Sequence, residues 1–120
     1  MRERATGNAI FLVNDPQGRQ ITLLAGALAY IAKHPEMANR ADIVEKVVTD
    51  PNVIATSKSI QSCLLYFRFG AHEDHPGRYV AVVVEHQYDP GRVITASLAD
   101  NLSRGKVTVY AKHPGQSERG

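Results

Sequence analysis

The segment Lys33-His34-Pro35-Glu36 places an imidazole and a lysine where we predict the end of a helix. An imidazole titrates near neutral pH, so His34 is able to accept and return a proton, and Lys33 would hold an anion beside it. A purely structural interpretation also exists, because a histidine at a helix C-terminus interacts favourably with the negative end of the helix dipole. The residues alone leave both interpretations open.

A second segment, His72-Glu73-Asp74-His75, has the side-chain types of a divalent metal site, with two carboxylates between two histidines. The alternative is a solvated hairpin loop whose polar side chains face water. We favour the loop, because no cysteine and no fixed scaffold accompany the cluster. We therefore predict no metal and no cofactor, and a metal-dependent hydrolase using His72 and His75 is the weaker hypothesis.

Side chains suited to bind a phosphate or a base lie on predicted strands in the second half of the chain. Arg68, Arg78 and Arg92 are on or beside adjacent strands, and a guanidinium group clamps a phosphate through two hydrogen bonds. The Thr95 hydroxyl would donate to a phosphate oxygen, and the Tyr66 ring would stack on a base. Each residue also has an ordinary structural interpretation, as a solvated charge, a β-preferring threonine or a core tyrosine.

Composition excludes several other classes of protein. The chain has 120 residues, a net charge of +2 and one cysteine, which is typical of a single globular domain without a disulfide framework. Its longest apolar run, at residues 23–32, is too short to cross a bilayer. The lone Cys63 is expected in the core, and a single thiol fits a reducing compartment, so we expect a cytoplasmic protein. No phosphate-binding glycine loop, HExxH motif or nucleophile elbow is present.

Two helices followed by strands are predicted to position these side chains. Residues 21–34 carry apolar side chains at three- and four-residue steps, which indicates an amphipathic helix that Pro35 ends. Residues 37–50 place Met37 and three valines on one face and end at Asp50-Pro51. From Pro51 onwards the pattern is that of strands, with the clearest hairpin at residues 78–97. In the last strand, residues 106–112, Val107 and Val109 are predicted to point inward.

This order of elements predicts an α+β fold, with two N-terminal helices packed on one face of a four- to five-stranded antiparallel sheet. Residues 9–112 would form the single domain, residues 1–8 a flexible arm and residues 113–120 a flexible tail. Because both helices would cover the same face, the opposite face of the sheet would be open. Open sheet faces on small domains often bind a partner.

The same features resemble a known family of proteins. A helix ending in KHPEM precedes a helix running into TDPNVI, followed by the strands LLYFRF and YVAVVVE and a strand ending in VITAS. This arrangement resembles the phage and toxin nucleases of the barnase–EndoU–colicin E5/D–RelE group, in particular the phage-associated branch. The resemblance covers most of residues 9–98.

The resemblance implies a toxin- or phage-associated, metal-independent RNA endonuclease, in which the RNA's own 2′-hydroxyl attacks and leaves a 2′,3′-cyclic phosphate. His34 and Thr95 match the family's catalytic positions. The placement of the predicted strands, and not a family motif, makes Arg68 or Arg92 the expected phosphate clamp. RNA is the implied substrate, and an antitoxin or immunity protein is an implied partner. Some expected features are missing. No further histidine or other basic residue lies earlier in the first helix, where Gly26, Ala27 and Tyr30 are found, and Ser97 follows the Thr-Ala pair where an aromatic is more usual. The alternative is therefore a catalytically silent module that binds RNA or protein.

Overall fold

The computed structural model describes residues 8–112, which form a seven-stranded sheet and two short α-helices. A 3-10 turn, Pro35–Met37, lies between the helices. In chain order the elements are β1 (Ala9–Asn14), β2 (Gln20–Leu24), α1 (Ala25–Ile31), α2 (Ala41–Thr49), β3 (Val53–Ser57), β4 (Cys63–Phe69), β5 (Tyr79–Glu85), β6 (Gly91–Ala99) and β7 (Gly105–Ala111).

The strands are ordered β1-β2-β6-β5-β4-β3-β7, and only β2 and β6 pair in parallel. The sheet is curled, as shown by the Gln17 side-chain amide in the turn after β1, which donates to the Val109 carbonyl oxygen of β7 at 3.2 Å. The turn beside one edge strand thus reaches the other edge strand. Helix α2 lies inside the curl and packs against β1, β4 and β5.

Each face of the sheet has its own apolar cluster. On the helical face, the α2 side chains Val44, Val47 and Val48 are fully buried against alternate residues of the central strands. The opposite face, here called the open face, carries the other alternate set of strand residues and a smaller cluster. It is less open than predicted, because Leu102 of the β6–β7 connection packs against that cluster and Cys63, Phe67 and Ala81 are fully buried. Its residues on the central strands are Cys63, Leu65 and Phe67 of β4, Ala81, Val83 and Glu85 of β5, and Thr95 and Ser97 of β6.

The predicted architecture was wrong, although the α+β class holds. Seven strands replace the expected four or five, and the hairpin β1–β2 precedes the helices. The predicted helical stripe joined Ile21 to Leu24 and Leu28, but Ile21 and Leu23 also have the two-residue spacing of one strand face, and pairing decides between the two. In β1, Val13 is opposite Ile21 and Phe11 is opposite Leu23, so both β2 side chains are buried by a partner strand that local periodicity does not reveal.

Both helices are shorter than predicted. Helix α1 begins at Ala25, after β2, and α2 begins at Ala41 rather than near Met37. Asn39 has a φ of 60°, a left-handed conformation that a helix interior does not allow, and it separates the 3-10 turn from α2. His34 lies outside a helix interior and has extended dihedrals before Pro35, as predicted. It does not end α1, however, because that helix stops at Ile31 and His34 precedes the 3-10 turn as its N-cap.

Among the strands, the predicted hairpin at residues 78–97 is confirmed as β5–β6, and Cys63 is fully buried. The predicted orientation of β7 was wrong, because Val107 and Val109 are exposed while Tyr110 packs against the core of the helical face. Two irregularities in the β3–β7 pairing explain the error, since each one breaks the simple alternation of side chains.

No helix among residues 8–112 is long and apolar enough to span a membrane. Of the predicted N-terminal arm only Asn8 is described, and its carbonyl oxygen accepts a hydrogen bond from the Ala25 N–H at 2.9 Å. The rest of that arm and the predicted tail, residues 113–120, lie outside the described residues.

Candidate functional site

A cleft lies on the open face above one row of paired residues. Across the sheet, Ala55 pairs with Leu65, Leu65 with Val83, and Val83 with Thr95. Leu65, Val83 and Thr95 line a cavity of about 410 Å³, here called the open-face cleft. The β3–β4 and β6–β7 segments and β6 supply its other lining residues, which are Ser57, Lys58, Ser59, Ile60, Ile94, Ser103 and Arg104.

The cleft carries positive charge without a balancing carboxylate. Its lining includes Lys58 and Arg104, and a neighbouring cavity that shares Lys58 adds Lys106, while neither cavity is lined by an Asp or a Glu. Within residues 8–112, no ion pair involves any of these three cations. Cations that converge without anionic partners favour the binding of an anion.

Two of the predicted phosphate clamps, Arg68 and Arg78, are held in ion pairs instead. Arg68 donates to the Asp50 carboxylate at 3.0 Å and to its carbonyl oxygen at 2.6 Å. Arg78 pairs with Asp100 at 2.8 Å. These two guanidinium groups therefore tie strands to loops, and neither lines the open-face cleft.

A β-bulge in β6 brings a carboxylate and another arginine next to the cleft. Val84 pairs with Val93 and Val83 with Thr95, so Ile94 is the extra residue. Ile94 lines both the open-face cleft and an adjoining cavity of about 340 Å³, which also contains Glu85 and Arg92. Bulges commonly re-aim side chains beside functional sites. Here the bulged residue, Ile94, lies between the cavity that contains the paired residues Glu85 and Arg92 and the hydroxyl-lined cleft.

The structure does not bring the two predicted catalytic residues into one cavity. Thr95 lines the open-face cleft, whereas His34 is exposed beside the 3-10 turn and lines none of the three cavities described here. Lys33 is exposed next to it, with its ammonium group 4.8 Å from the centroid of the Tyr30 ring. His34 therefore has no observed contact with the Thr95 hydroxyl in the described part of the chain.

Tyr66 has a different environment from the one predicted. Its side chain is fully buried, so neither face of the ring is available to stack on an RNA base. Its hydroxyl donates to the Asp15 carboxylate at 2.7 Å and lies 3.0 Å from His86 Nε2. Because the single hydroxyl proton goes to Asp15, the proton of the second bond belongs to His86 Nε2. Asp15, Arg19, Tyr66 and His86 form what we call the buried polar cluster.

Asp15 is the centre of this cluster. Its carboxylate accepts from the backbone N–H groups of Gln17 and Arg19, at 2.8 and 2.9 Å, and from the Arg19 guanidinium at 2.9 Å. Burial would raise the pKa of Asp15, but the hydrogen bonds from Tyr66 and Arg19 outweigh burial and hold it below its usual value. Burial, together with the Asp15 charge, raises the pKa of Tyr66.

His86 lies at the partly exposed end of the cluster. Burial, and then the positive charge of Arg19, lower the pKa of His86. Its ring packs against the backbone of Gly91, where an added Cβ would stand 2.5 Å from His86 Nδ1, so a larger residue does not fit there. Sequence patterns did not identify this cluster. The Asn14-Asp15-Pro16 segment indicated only a turn, and nothing local connects it to strands β4 and β5.

The predicted metal segment is a structural anchor in this fold. His72 is buried, so its interpretation as a solvated loop residue was wrong. One ring nitrogen accepts from the Asp74 N–H at 3.2 Å, and the other lies 2.8 Å from the Glu36 carbonyl oxygen, to which it donates. Glu73 pairs with Arg40 at 2.7 Å. Ligand atoms of His72, Glu73 and Asp74 lie within 4.8 Å of one another, but both nitrogens of the His72 ring are already engaged in hydrogen bonds.

No protein-family model matches the sequence, and no curated protein is found to be similar to it.

Proposed function

We propose that this protein is a metal-independent RNA endonuclease and that its open-face cleft holds the phosphate backbone of a single RNA strand. The observation that carries the proposal is the set of three cations, Lys58, Arg104 and Lys106, around a cleft lined by hydroxyl groups and free of carboxylates. The same activity is what the resemblance to the barnase–EndoU–colicin E5/D–RelE group implies.

Charge and geometry support the proposed binding of RNA. Phosphate groups release counterions when lysine and arginine neutralise them, which drives association at low salt. Lys58 lines both basic cavities, so Lys58 and Lys106 would follow consecutive phosphates while Arg104, which also lines the open-face cleft, holds a third. The Thr95 hydroxyl donates to a non-bridging oxygen of the phosphate in the cleft.

Cleavage needs a base, a proton donor and positive charge near the phosphorus. Glu85 beside the cleft takes the proton of the 2′-hydroxyl, and the 2′-oxygen attacks phosphorus. The bond from phosphorus to the 5′-oxygen then breaks, the leaving oxygen receives a proton from Lys58, and a 2′,3′-cyclic phosphate remains. Arg92, the cross-strand partner of Glu85, faces the charge that develops on the phosphate.

This assignment replaces His34 with Glu85 as the base. It keeps Thr95 in contact with the phosphate. Of the two arginines expected to clamp the phosphate, it retains Arg92 and replaces Arg68 with Arg104. A toxin or phage association is part of the proposal on the strength of the resemblance. An antitoxin or immunity protein would inhibit such an enzyme most directly by presenting carboxylates to Lys58, Arg104 and Lys106.

The decisive experiment incubates purified protein with RNA in the presence of a chelator and identifies the product ends. The parent protein should generate 2′,3′-cyclic phosphate ends. Glu85→Gln should bind RNA normally but lose at least about 100-fold in cleavage rate, the range expected for a general base. His34→Ala should cleave within about twofold of the parent. If His34→Ala is inactive while Glu85→Gln is active, the base is His34 and our assignment fails.

A second candidate is an RNA-binding module without catalysis. The observation that favours it is that the histidine expected to act in catalysis lies outside the open-face cleft. RNA binding that depends on Lys58, Arg104 and Lys106, with no cyclic phosphate ends formed by the parent protein, would select this candidate over the nuclease.

A further inference from the structure

We infer that the open-face cleft accepts one unstacked base, so that the RNA must enter as a single strand with a nucleotide turned onto the sheet. This inference rests on the proposed function, because it concerns the substrate of the same cleft. The basic rim explains only the contacts with phosphates, whereas the floor and walls of the cleft have a different chemistry.

The floor of the cleft is aliphatic. Leu65 and Val83, opposite each other on β4 and β5, are 2% and 9% exposed and line the cavity. Ile60 and Ile94 lie on the two sides of this floor, in the β3–β4 connection and on β6, and remain 50% and 37% exposed. Two isoleucines left partly open to water beside lysine and arginine side chains form an apolar surface that a phosphate does not use.

The size and polarity of the cleft suit one base. Its volume of about 410 Å³ falls in the lower part of the range for small-ligand sites, roughly 300–1,000 Å³. A base has two apolar faces, which would contact the isoleucines and the floor. Its polar edge would meet the hydroxyl groups of Ser57, Ser59 and Ser103 in the lining. In an RNA duplex the base faces are stacked and inaccessible, so a duplex offers this cleft only phosphates.

The test compares three fluorescently labelled RNA probes by anisotropy: an eight-nucleotide single strand, the same strand in a duplex, and a ribose–phosphate strand of equal length without bases. The probes carry 2′-O-methyl groups, so none is cleaved. The base-bearing strand should bind about tenfold more tightly than the strand without bases, because only it buries apolar surface in the cleft. The duplex should bind no more tightly than the strand without bases.

A matched pair of variants locates the effect. Ile60→Ala should weaken binding of the base-bearing strand about threefold and leave the strand without bases unchanged. Ile10→Ala removes an isoleucine of similar exposure, 44%, from β1 and should change neither affinity. Equal affinities of the two single strands, with binding still salt-dependent, would overturn the base pocket and leave phosphate binding standing. Failure of every probe to bind would overturn the proposed function as well.

Discussion

The buried polar cluster and the open-face cleft both concentrate charged side chains, but the charges are paired within the cluster and unpaired around the cleft. In the cluster, Asp15 has four hydrogen-bond donors and Arg19 faces its counter-charge at 2.9 Å. Around the cleft, Lys58, Arg104 and Lys106 have no carboxylate partner within residues 8–112.

The difference separates groups that stabilise the fold from groups that await a ligand. A buried charge that lost its partners would cost several kcal/mol, so the cluster must be complete in the folded protein. Exposed cations are hydrated and cost little when unpaired, so the cleft is able to remain open until an anion arrives. Changes in the cluster should therefore alter stability, and changes in the cleft should alter binding.

The largest effect is expected from Asp15→Ala. The substitution removes the acceptor of four hydrogen bonds and leaves the buried Tyr66 hydroxyl without its acceptor. We expect the free energy of unfolding to fall by about 3–5 kcal/mol, measured by urea denaturation. A loss below about 1 kcal/mol would show that the cluster is not a stabilising element.

The next largest effect concerns binding. Replacing Lys58, Arg104 and Lys106 together by Gln should lower the magnitude of the slope of log K against log salt by about 2, because each lost phosphate contact removes about 0.7 from it. The affinity for single-stranded RNA should fall by about 100-fold at 0.1 M salt. Unfolding free energy should change by less than about 0.5 kcal/mol. The control variant, Lys33→Gln with Lys46→Gln, changes two exposed lysines outside the cleft and should leave the slope unaltered.

Two histidines in the loop between β4 and β5 test whether buried polar groups stabilise the fold there as well, whereas exposed ones do not. His72 is buried and uses both ring nitrogens, so His72→Ala should cost about 1–3 kcal/mol of stability. His75 is only partly buried, and His75→Ala should cost less than about 0.5 kcal/mol. Denaturation curves in chelator and in added zinc should coincide for the parent, and stabilisation by zinc that both substitutions abolish would contradict the anchoring role.

The smallest effect is a pH dependence. The pKa of His86 is lowered in the folded state, so the unfolded chain binds a proton more readily. The contribution of neutral His86 to the free energy of unfolding is therefore complete above the unfolded pKa of about 6.5. The free energy of unfolding should fall as the pH decreases below 6.5, by at most about 1.4 kcal/mol per pH unit. The actual decrease should be smaller, because solvent screens the partly exposed ring. His86→Gln keeps a hydrogen-bond donor for Tyr66 and should flatten this pH dependence between pH 6.5 and 5, as measured by urea denaturation. If the free energy of unfolding of the variant depends on pH as steeply as that of the parent, His86 is not the titrating group.

Sequence patterns predicted the parts of the fold that depend on neighbouring residues. The β5–β6 hairpin, the buried Cys63 and the extended His34 before Pro35 all follow from local composition. The pairing of β1 with β2 and the parallel contact of β2 with β6 do not, because they depend on residues far apart in the chain. The site was predicted in part for the same reason. Thr95 lies on a strand that local patterns predict, but Lys58 and Arg104 come from the connections between strands, and the buried polar cluster joins two turns to β4.

Strand β6 illustrates how one unpaired residue decides the chemistry of a surface. In a regular strand, Thr95 and Ser97 would share the orientation of Val93, which is buried among the helices, and Ala96 and Leu98 would point to the solvent side. The extra residue Ile94 shifts the alternation of the strand by one position. Val93 before it and Ala96 after it therefore both face the helical side, while the hydroxyl groups of Thr95 and Ser97 both face the open side. The polar character of this surface is thus encoded by an insertion in the pairing as much as by the residues that display it.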